Sequence, residues 1–277
     1  MIDSHSHLDR CEGEPDELVE RAREAGVARI LTVGLDGAGN LRQVGLAERF
    51  PEVFAAVGRH PNEAEGFEEA DAEALAELAG DDQVVAIGET GLDFYRDTAS
   101  PDAQRRAFSA QIEVALAAGL PLVVHLRDRE GSEEAVSEAF GTLERDGGEL
   151  EVVLHCFSAP NRVEQAAANG WYCSFAGNVT YPANGALREA AAAVPDELLL
   201  VETDAPYLTP QSRRRERNES AFVVETADCV AEVRGVSPED LDRTVTATAA
   251  RLFGGCGSAR TSCGTRTCSM RSAGTPG

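Results

Sequence analysis

Short apolar segments alternate with segments of helical periodicity, and this alternation constrains the fold more than any other feature of the 277 residues. Strands are expected at about 1–9, 28–33, 53–57, 84–87, 120–124, 151–154, 171–175 and 198–201. Helices are expected at about 14–26, 41–50, 70–79, 102–118, 132–143, 162–169, 187–193, 222–234 and 238–253. Each strand is therefore followed by a helix, which is typical of a parallel sheet covered on both faces.

Eight such units in about 250 residues predict one α/β domain, a closed (β/α)8 TIM barrel over residues 1–253. A doubly wound open sheet is the alternative, but no G-x-G-x-x-G motif follows the first strand. The composition changes at Gly254, because residues 254–277 contain no acidic residue and many Gly, Ser, Thr and Arg residues. We expect this low-complexity tail to be disordered and to lie outside the barrel.

The chain carries a formal net charge of −23, from 48 acidic residues against 25 basic ones. Every basic residue is an arginine, and the absence of lysine excludes Schiff-base chemistry and a modified lysine that bridges two metal ions. Such an acidic surface predicts weak non-specific affinity for nucleic acid, so no stable nucleic-acid complex is expected. A nucleic-acid substrate would require local positive charge from metal ions or clustered arginines.

Hydrophobic residues make up 43% and charged residues 26% of the chain, as in ordinary globular proteins. No apolar run is long enough to cross a bilayer, and the polar N-terminus does not have the layout of a secretory signal. A cytoplasmic location without membrane contact is therefore expected, with a monomer as the favoured state. The seven cysteines form no C-x-x-C pair and are interpreted as free thiols.

Every histidine of the chain lies at or just beyond the C-terminal end of a predicted strand. The five are His5, His7, His60, His125 and His155. Glu89 and Asp204 end two further strands in the same way, and in a (β/α)8 barrel all these ends meet at one mouth. His5 and His7, two residues apart on a strand, would point to the same face, whereas a pair of surface histidines at a frayed terminus is the alternative.

Imidazoles and carboxylates that converge without thiolates suit divalent ions such as Mg²⁺, Mn²⁺ or Zn²⁺. The candidate metal ligands are His5, His7, Glu89, His125, His155 and Asp204. They exceed what one tetrahedral ion requires, so two ions that share a carboxylate are the economical arrangement. Glu89 is expected to bridge the two ions. One ion would take His5, His7 and Asp204, and the other would take His125 and His155.

Five short motifs contain these residues and follow one another along the chain. They are D-S-H-S-H-L-D at 3–9, G-E-T-G-L-D at 88–93, V-V-H at 123–125, L-H-C-F at 154–157 and V-E-T-D-A-P-Y-L at 201–208. In combination they resemble the motifs of the TatD family of metal-dependent hydrolases, over residues 1 to about 253. The resemblance implies a barrel of the amidohydrolase type and a deoxyribonuclease, commonly a 3′–5′ exonuclease. It also implies the same six metal ligands.

Two departures from the family pattern concern substrate contacts. Family members usually carry an apolar residue before the histidine of the third strand, where this chain has Arg59. A Gly-Lys-Arg-Asn-Glu-Pro-like segment often follows the last strand, and residues 215–220 keep only its Arg-Asn-Glu core. We therefore expect the metal site to be retained and the substrate contacts of this loop to differ.

Phosphodiester hydrolysis of DNA by a two-metal-activated water is the most direct interpretation, with Asp204 as general base and Glu89 as the bridging carboxylate. The residues expected to contact the substrate are His60, Arg59, Arg127 and Arg217. The same site could instead hydrolyse the ester of a D-aminoacyl-tRNA or the amide of a small molecule, because a fold does not determine its substrate. A metal-stabilised scaffold without catalysis is the third hypothesis, and it leaves Asp204 without a role.

Overall fold

The computed structural model describes residues 1–96 and 98–254, and within them the expected strands and helices alternate. The strands are β1 (Ile2–Ser6), β2 (Arg29–Val33), β3 (Val53–Val57), β4 (Val84–Asp93), β5 (Leu122–Arg127), β6 (Val152–Leu154), β7 (Tyr172–Phe175) and β8 (Leu199–Val201). The α-helices are α1 (Pro15–Glu24), α2 (Gly37–Arg49), α3 (Glu69–Leu78), α4 (Pro101–Ala118), α5 (Glu134–Asp146), α6 (Val163–Ala168), α7 (Gly185–Ala193), α8 (Val223–Arg234) and α9 (Pro238–Phe253). The tail from residue 255, for which disorder is expected, lies outside the described residues.

The strands form one sheet in chain order, from β1 to β8, and each neighbouring pair is parallel. The first and last strands meet through a parallel bridge between Ser6 and Ala205. The Ser4 hydroxyl donates to the Val201 carbonyl at 2.9 Å, which adds a second link across this seam. The result is a nearly closed barrel surrounded by helices, so the predicted TIM-barrel fold is confirmed.

Apolar side chains fill both the inside of the barrel and the layer between its strands and helices. The interior cluster takes side chains from all eight strands, among them Leu31 and Leu200. Helix α9 adds Leu252 and Phe253 to this cluster, beside Ile2 at the start of β1. Because apolar groups occupy the end where the strands begin, the polar and titratable groups gather at the opposite end.

Capping chemistry explains where helices of the outer layer begin and end. Helix α4 follows Ser100, whose hydroxyl accepts a hydrogen bond at 3.3 Å from the backbone N–H three residues on. Pro101 occupies the first helical position, where no backbone donor is needed. The helix ends at Gly119 with φ of +64°, a left-handed conformation that glycine adopts without steric cost. Helix α9 begins in the same way, at Ser237 and Pro238.

Strand β4 is longer than the predicted segment 84–87, because it continues to Asp93. Gly88 and Gly91 are typical of a turn in sequence, yet both lie in the sheet with φ of +140° and +132°. A Cβ atom on Gly88 would lie 2.5 Å from the Val123 carbonyl oxygen, so a larger residue would push β5 away. The pairing register with β5 shifts within this segment, and Glu89 lies at the shift.

Candidate metal centre

Titratable side chains gather at the end of the barrel where the strands finish. They include His5 (in β1), His7 (after β1), Glu89 (in β4), His125 (in β5), His155 (after β6) and Asp204 (after β8). The side chains of His125 and Asp204 are 16% and 14% exposed, and the other four are at most 3% exposed. The barrel therefore brings all six predicted ligands into one cluster, although they are distributed along most of its sequence.

Glu89 occupies the centre of the cluster, and its two carboxylate oxygens face different imidazoles. Oε1 lies 2.7 Å from His125 Nδ1 and 3.0 Å from His155 Nε2. Oε2 lies 3.4 Å from His5 Nε2 and 3.7 Å from His7 Nε2. One carboxylate thus divides the imidazoles into the two pairs that the sequence predicts for two ions.

Asp204 completes the group around the second oxygen of Glu89. Its Oδ1 atom lies 3.6 Å from His7 Nε2 and 4.0 Å from His5 Nε2. Asp204 has φ of +53°, a conformation that is uncommon for a residue with a side chain. Its N–H donates to the His5 carbonyl at 2.9 Å, and the next residue, Ala205, accepts from the His7 N–H at 2.8 Å. These backbone bonds across the seam hold the carboxylate against both imidazoles.

Three of the imidazoles have a hydrogen-bond acceptor on the nitrogen that points away from the cluster. The contacts are His7 Nδ1 to the Val33 carbonyl at 2.9 Å, His155 Nδ1 to Glu202 Oε1 at 2.9 Å and His125 Nε2 to Asp93 Oδ2 at 3.3 Å. Carbonyl and carboxylate oxygens only accept, so each neutral ring carries its proton on this outer nitrogen. The inner nitrogen then presents a lone pair to the cluster, as a metal-bound histidine must.

In the neutral rings these inner lone pairs face the carboxylate oxygens of Glu89 and Asp204, an arrangement that a cation between them would stabilise. His5 Nε2 and His7 Nε2 lie 3.4 Å apart, and their distances to the two carboxylates are 3.4–4.0 Å. Two ligand atoms bound tetrahedrally to zinc at 2.0–2.1 Å lie about 3.3–3.4 Å from one another. His5, His7 and Glu89 therefore fit a divalent ion in chemistry and spacing, with Asp204 at 3.6–4.0 Å from the two imidazoles.

His60 also reaches the cluster, but its outer nitrogen accepts a hydrogen bond, whereas the outer nitrogens of the other three rings face acceptors. Its Nε2 atom lies 3.4 Å from Glu89 Oε1, and its ring centroid lies 4.6 Å from that of His125. The outer nitrogen, Nδ1, accepts a hydrogen bond from the Asn62 N–H at 3.0 Å. The neutral ring must therefore carry its proton on Nε2, which faces the cluster as a donor rather than as a ligand.

The charges within the cluster shift the pKa values of its carboxylates downwards. Burial by itself raises the pKa of Glu89, but the imidazoles of His155 and His60 hold that pKa well below its usual range. Burial likewise raises the pKa of Asp204, and the hydrogen bond with His7 and nearby imidazole charges outweigh it. Conversely, the Glu89 and Glu202 carboxylates outweigh burial and raise the pKa of His155 well above its usual range. Both Glu89 and Asp204 are therefore anionic at neutral pH.

The arginines expected to contact a substrate differ in where they point. The Arg127 guanidinium, at the end of β5, lies 4.1 Å from the centroid of the Tyr95 ring at the rim of the mouth. Arg217 is exposed and forms an ion pair at 3.2 Å with a glutamate in the loop after β1. Arg59 is instead turned towards α3, where its guanidinium lies 2.5 Å from Asp71.

Several residues that organise the cluster were not among the predicted site residues. The Asp3 carboxylate accepts from the Thr203 N–H at 2.9 Å and from its hydroxyl at 2.7 Å, which joins the first strand to the segment after the last. Asn218 donates from its side chain to the Thr203 and Tyr207 carbonyls. Asp3 could have been recognised because it lies two residues before His5, on the same face of the strand. The bonds of Asn218 follow from no local pattern.

A model of the family described as TatD related DNase matches residues 2–254. The uncharacterized metal-dependent hydrolase YabD of Bacillus subtilis is 34% identical over 257 residues, which are 91% of this chain and 98% of that protein. A protein of Cronobacter sakazakii named 3′-5′ ssDNA/RNA exonuclease TatD is 36% identical over 244 residues, which are 86% of this chain and 91% of that protein. The crystal structure of YJJV, a TatD homologue from Escherichia coli K12, superposes with a TM-score of 0.84 at 26% identity, covering 92% of this chain and 98% of YJJV. The chain therefore belongs to the TatD family and is a metal-dependent hydrolase.

Proposed function

We propose that this protein is a divalent-metal-dependent phosphodiesterase that shortens single-stranded DNA from its 3′ end. The observation that carries the proposal is the division of imidazoles between the two oxygens of Glu89. The printed name of the Cronobacter sakazakii relative, a 3′-5′ ssDNA/RNA exonuclease, supports the substrate and the direction. Two ions that hold a phosphodiester between them are the usual arrangement for hydrolysis of this bond.

The proposed site holds two ions, with Glu89 shared between them. His5, His7 and Asp204 would hold one ion together with Glu89 Oε2, where the spacing of the donor atoms suits tetrahedral binding. His125 and His155 would hold the other ion with Oε1. The ions would be Mg²⁺, Mn²⁺ or Zn²⁺, and when bound they would acidify a water and neutralise charge on the phosphate.

Asp204 is the proposed general base. Its carboxylate lies next to His5 and His7, yet its side chain is 14% exposed whereas that of His5 is fully buried. It therefore lies at the solvent side of its group, where a water can reach it. From this position Asp204 can take a proton from the attacking water and release it to solvent, as general-base catalysis requires.

Three residues at the mouth are proposed to contact the phosphate backbone. His60 presents its Nε2–H towards the cluster, where it can donate to a phosphate oxygen. Arg127 and Arg217 add positive charge at the rim, which the net charge of −23 makes necessary. Arg59, although predicted to take part, is left out of the proposal because its side chain is only 20% exposed and is turned towards Asp71, whereas the side chain of Arg217 is 80% exposed.

The decisive experiment incubates the metal-loaded protein with a 5′-labelled single-stranded DNA and, separately, with a D-aminoacyl-tRNA. We expect a ladder of shortened, labelled DNA and no deacylation. Asp204→Asn should abolish shortening while retaining most of the bound metal, and the exposed Asp146→Asn should act as the matched control. Deacylation without shortening would show that the protein is an esterase rather than a nuclease. An undiminished nuclease rate in Asp204→Asn would show that Asp204 is not the general base.

We also propose that the protein acts in the cytoplasm as a monomer that binds nucleic acid only transiently. The cysteines in the described part of the chain are all free thiols, as is typical of a reducing compartment. No helix within residues 1–96 and 98–254 is long and apolar enough to cross a membrane. Size-exclusion chromatography with light scattering, with and without DNA, tests the assembly state.

A further inference from the structure

Two exposed aromatic residues lie at the mouth of the barrel, beside the metal centre. Tyr95 is 53% exposed and Tyr207 is 47% exposed. The other large hydrophobic residues with high exposure in the described part of the chain are aliphatic: Leu41, Leu116 and Val236. Both of these exposed aromatic residues follow strands whose ends form the mouth, whereas the exposed aliphatic residues lie elsewhere on the surface.

The two tyrosines lie on opposite sides of the mouth. Tyr95 follows β4, whereas Tyr207 follows β8, and these strands are four positions apart in an eight-stranded barrel. The ring centroid of Tyr207 lies 6.0 Å from that of His7, in an edge-to-face arrangement. The metal centre therefore lies between the two rings, because Glu89 comes from β4 and Asp204 from the segment after β8.

The backbone of both tyrosines is hydrogen-bonded to residues of the centre. The Tyr95 N–H donates to Asp93 Oδ1 at 3.0 Å, and the other oxygen of Asp93 contacts His125 at 3.3 Å. The Tyr207 N–H donates to the Asp204 carbonyl at 2.8 Å. The backbone of each aromatic residue is thus anchored by a residue that also organises the cluster, so its position relative to the cluster is set by the fold.

The Arg127 guanidinium covers part of the Tyr95 ring at 4.1 Å, which leaves more than half of the residue accessible. A tyrosine ring backed by an arginine presents a flat surface on which a nucleobase can stack. Stacking does not depend on the net charge of the protein. It can therefore hold a polyanion that the remaining surface, with 48 acidic residues against 25 basic ones, repels.

We propose that Tyr95, backed by Arg127, and Tyr207 are base-stacking platforms for the nucleotides on the two sides of the scissile phosphate. This inference rests on the proposed nuclease function and specifies its substrate. An unpaired base can leave its neighbours and stack on a ring, whereas a base within a duplex is already stacked and paired. The platforms thus select single-stranded nucleic acid and tolerate any sequence, because every base has a flat π face.

The test compares an ordinary single-stranded oligonucleotide with one whose last nucleotides are abasic, so that the phosphates are identical and only the bases differ. Each of Tyr95→Ala and Tyr207→Ala should lower kcat/KM on the ordinary oligonucleotide by about 5-fold to 150-fold, mainly through KM. The preference for the ordinary over the abasic substrate should shrink accordingly. Tyr95→Phe and Tyr207→Phe, which keep the ring, should retain the preference, and Leu116→Ala serves as the control at an exposed site of α4.

Equal losses on both substrates, or a retained preference in the alanine variants, would overturn the stacking role. A second measurement separates this role from the nuclease function. An oligonucleotide that carries 2-aminopurine near its 3′ end loses fluorescence when that base stacks. In an Asp204→Asn background, which should keep the metal without removing the labelled base, quenching by the protein with both tyrosines and by the phenylalanine variants, but not by the alanine variants, supports the platforms even if no phosphodiester is cleaved. Equal quenching by all variants would exclude Tyr95 and Tyr207 as stacking platforms.

Discussion

At the scale of single residues, the outer hydrogen bond of each imidazole decides what its inner nitrogen can do. His155 and His125 donate outwards to carboxylates, so the inner nitrogens of their neutral rings are lone pairs. His60 accepts outwards from a backbone N–H, so its inner nitrogen is a donor. Three histidines that are equivalent in the sequence pattern therefore divide into two proposed metal ligands and one hydrogen-bond donor.

Glu202→Gln should weaken metal binding by about 10-fold to 100-fold, because the anionic partner of His155 is replaced by a neutral one. Titration of metal against a fluorescent chelator measures the affinity. The exposed Glu197→Gln, close in sequence, is the matched control. An unchanged affinity in Glu202→Gln would show that this carboxylate does not support the ligand.

His60→Ala should leave the metal affinity within about 3-fold of wild type, since a ring that is protonated on its inner nitrogen is not a ligand. It should lower kcat/KM on DNA by about 10-fold to 150-fold, the range expected for loss of a hydrogen bond to a charged group. Metal titration and steady-state kinetics on the same preparation separate the two effects. A large loss of metal would place His60 among the ligands.

At the scale of elements, the segment after β8 is held by side chains rather than by regular pairing. Asn218 is buried, and its amide donates to the Thr203 carbonyl at 2.9 Å and to the Tyr207 carbonyl. Arg21 of α1 donates two hydrogen bonds to Glu219 Oε2, the shorter at 2.7 Å. The Asn-Glu pair that remains of the family's loop motif therefore anchors the loop that carries Asp204.

Asn218→Ala should lower the free energy of unfolding by about 2 kcal/mol, since it removes two hydrogen bonds and leaves the buried Thr203 carbonyl without its donor. For a domain of this size the loss corresponds to roughly 4–8 °C in Tm. Thermal unfolding followed by circular dichroism measures it. The exposed Asn169→Ala should change Tm by less than about 2 °C, and an equal change in both variants would contradict the anchoring role.

The sequence predicts the elements well because each strand is short and apolar and each helix is periodic. Six candidate ligands were recognisable for a related reason, since the end of a buried strand is where a histidine or carboxylate stands out. The extension of β4 was not recognisable, because Gly88 and Gly91 are typical of a turn and their place in the sheet depends on β5. The pairing of Arg59 with Asp71, likewise, depends on how α3 packs.

At the scale of the whole molecule, the excess of acidic groups means that the negative charges of the folded protein repel one another. The net charge is −23, although many exposed arginines are paired with glutamate or aspartate. Folding brings these charges closer together, so mobile ions that screen them stabilise the folded form. Screening also weakens the individual surface ion pairs, but each of these contributes little.

Raising NaCl from about 10 mM to about 500 mM should therefore raise the Tm of the metal-loaded protein by roughly 2–8 °C. Differential scanning calorimetry measures the shift. Sodium sulfate at the same ionic strength distinguishes screening, which gives a similar shift, from a salt-specific effect, which does not. A Tm that falls as NaCl increases would mean that the ion pairs outweigh the general repulsion.

The seam between the first and last strands has a consequence for how the molecule is made. His5 and His7 leave the ribosome about two hundred residues before Asp204, which lies against them in the folded protein. The proposed binding group for one ion thus cannot exist in a nascent chain until nearly the whole barrel has been synthesised and its ends have met. A partly made or truncated chain carries histidines without their carboxylate partner, and hydrolytic activity becomes a property of the finished barrel alone.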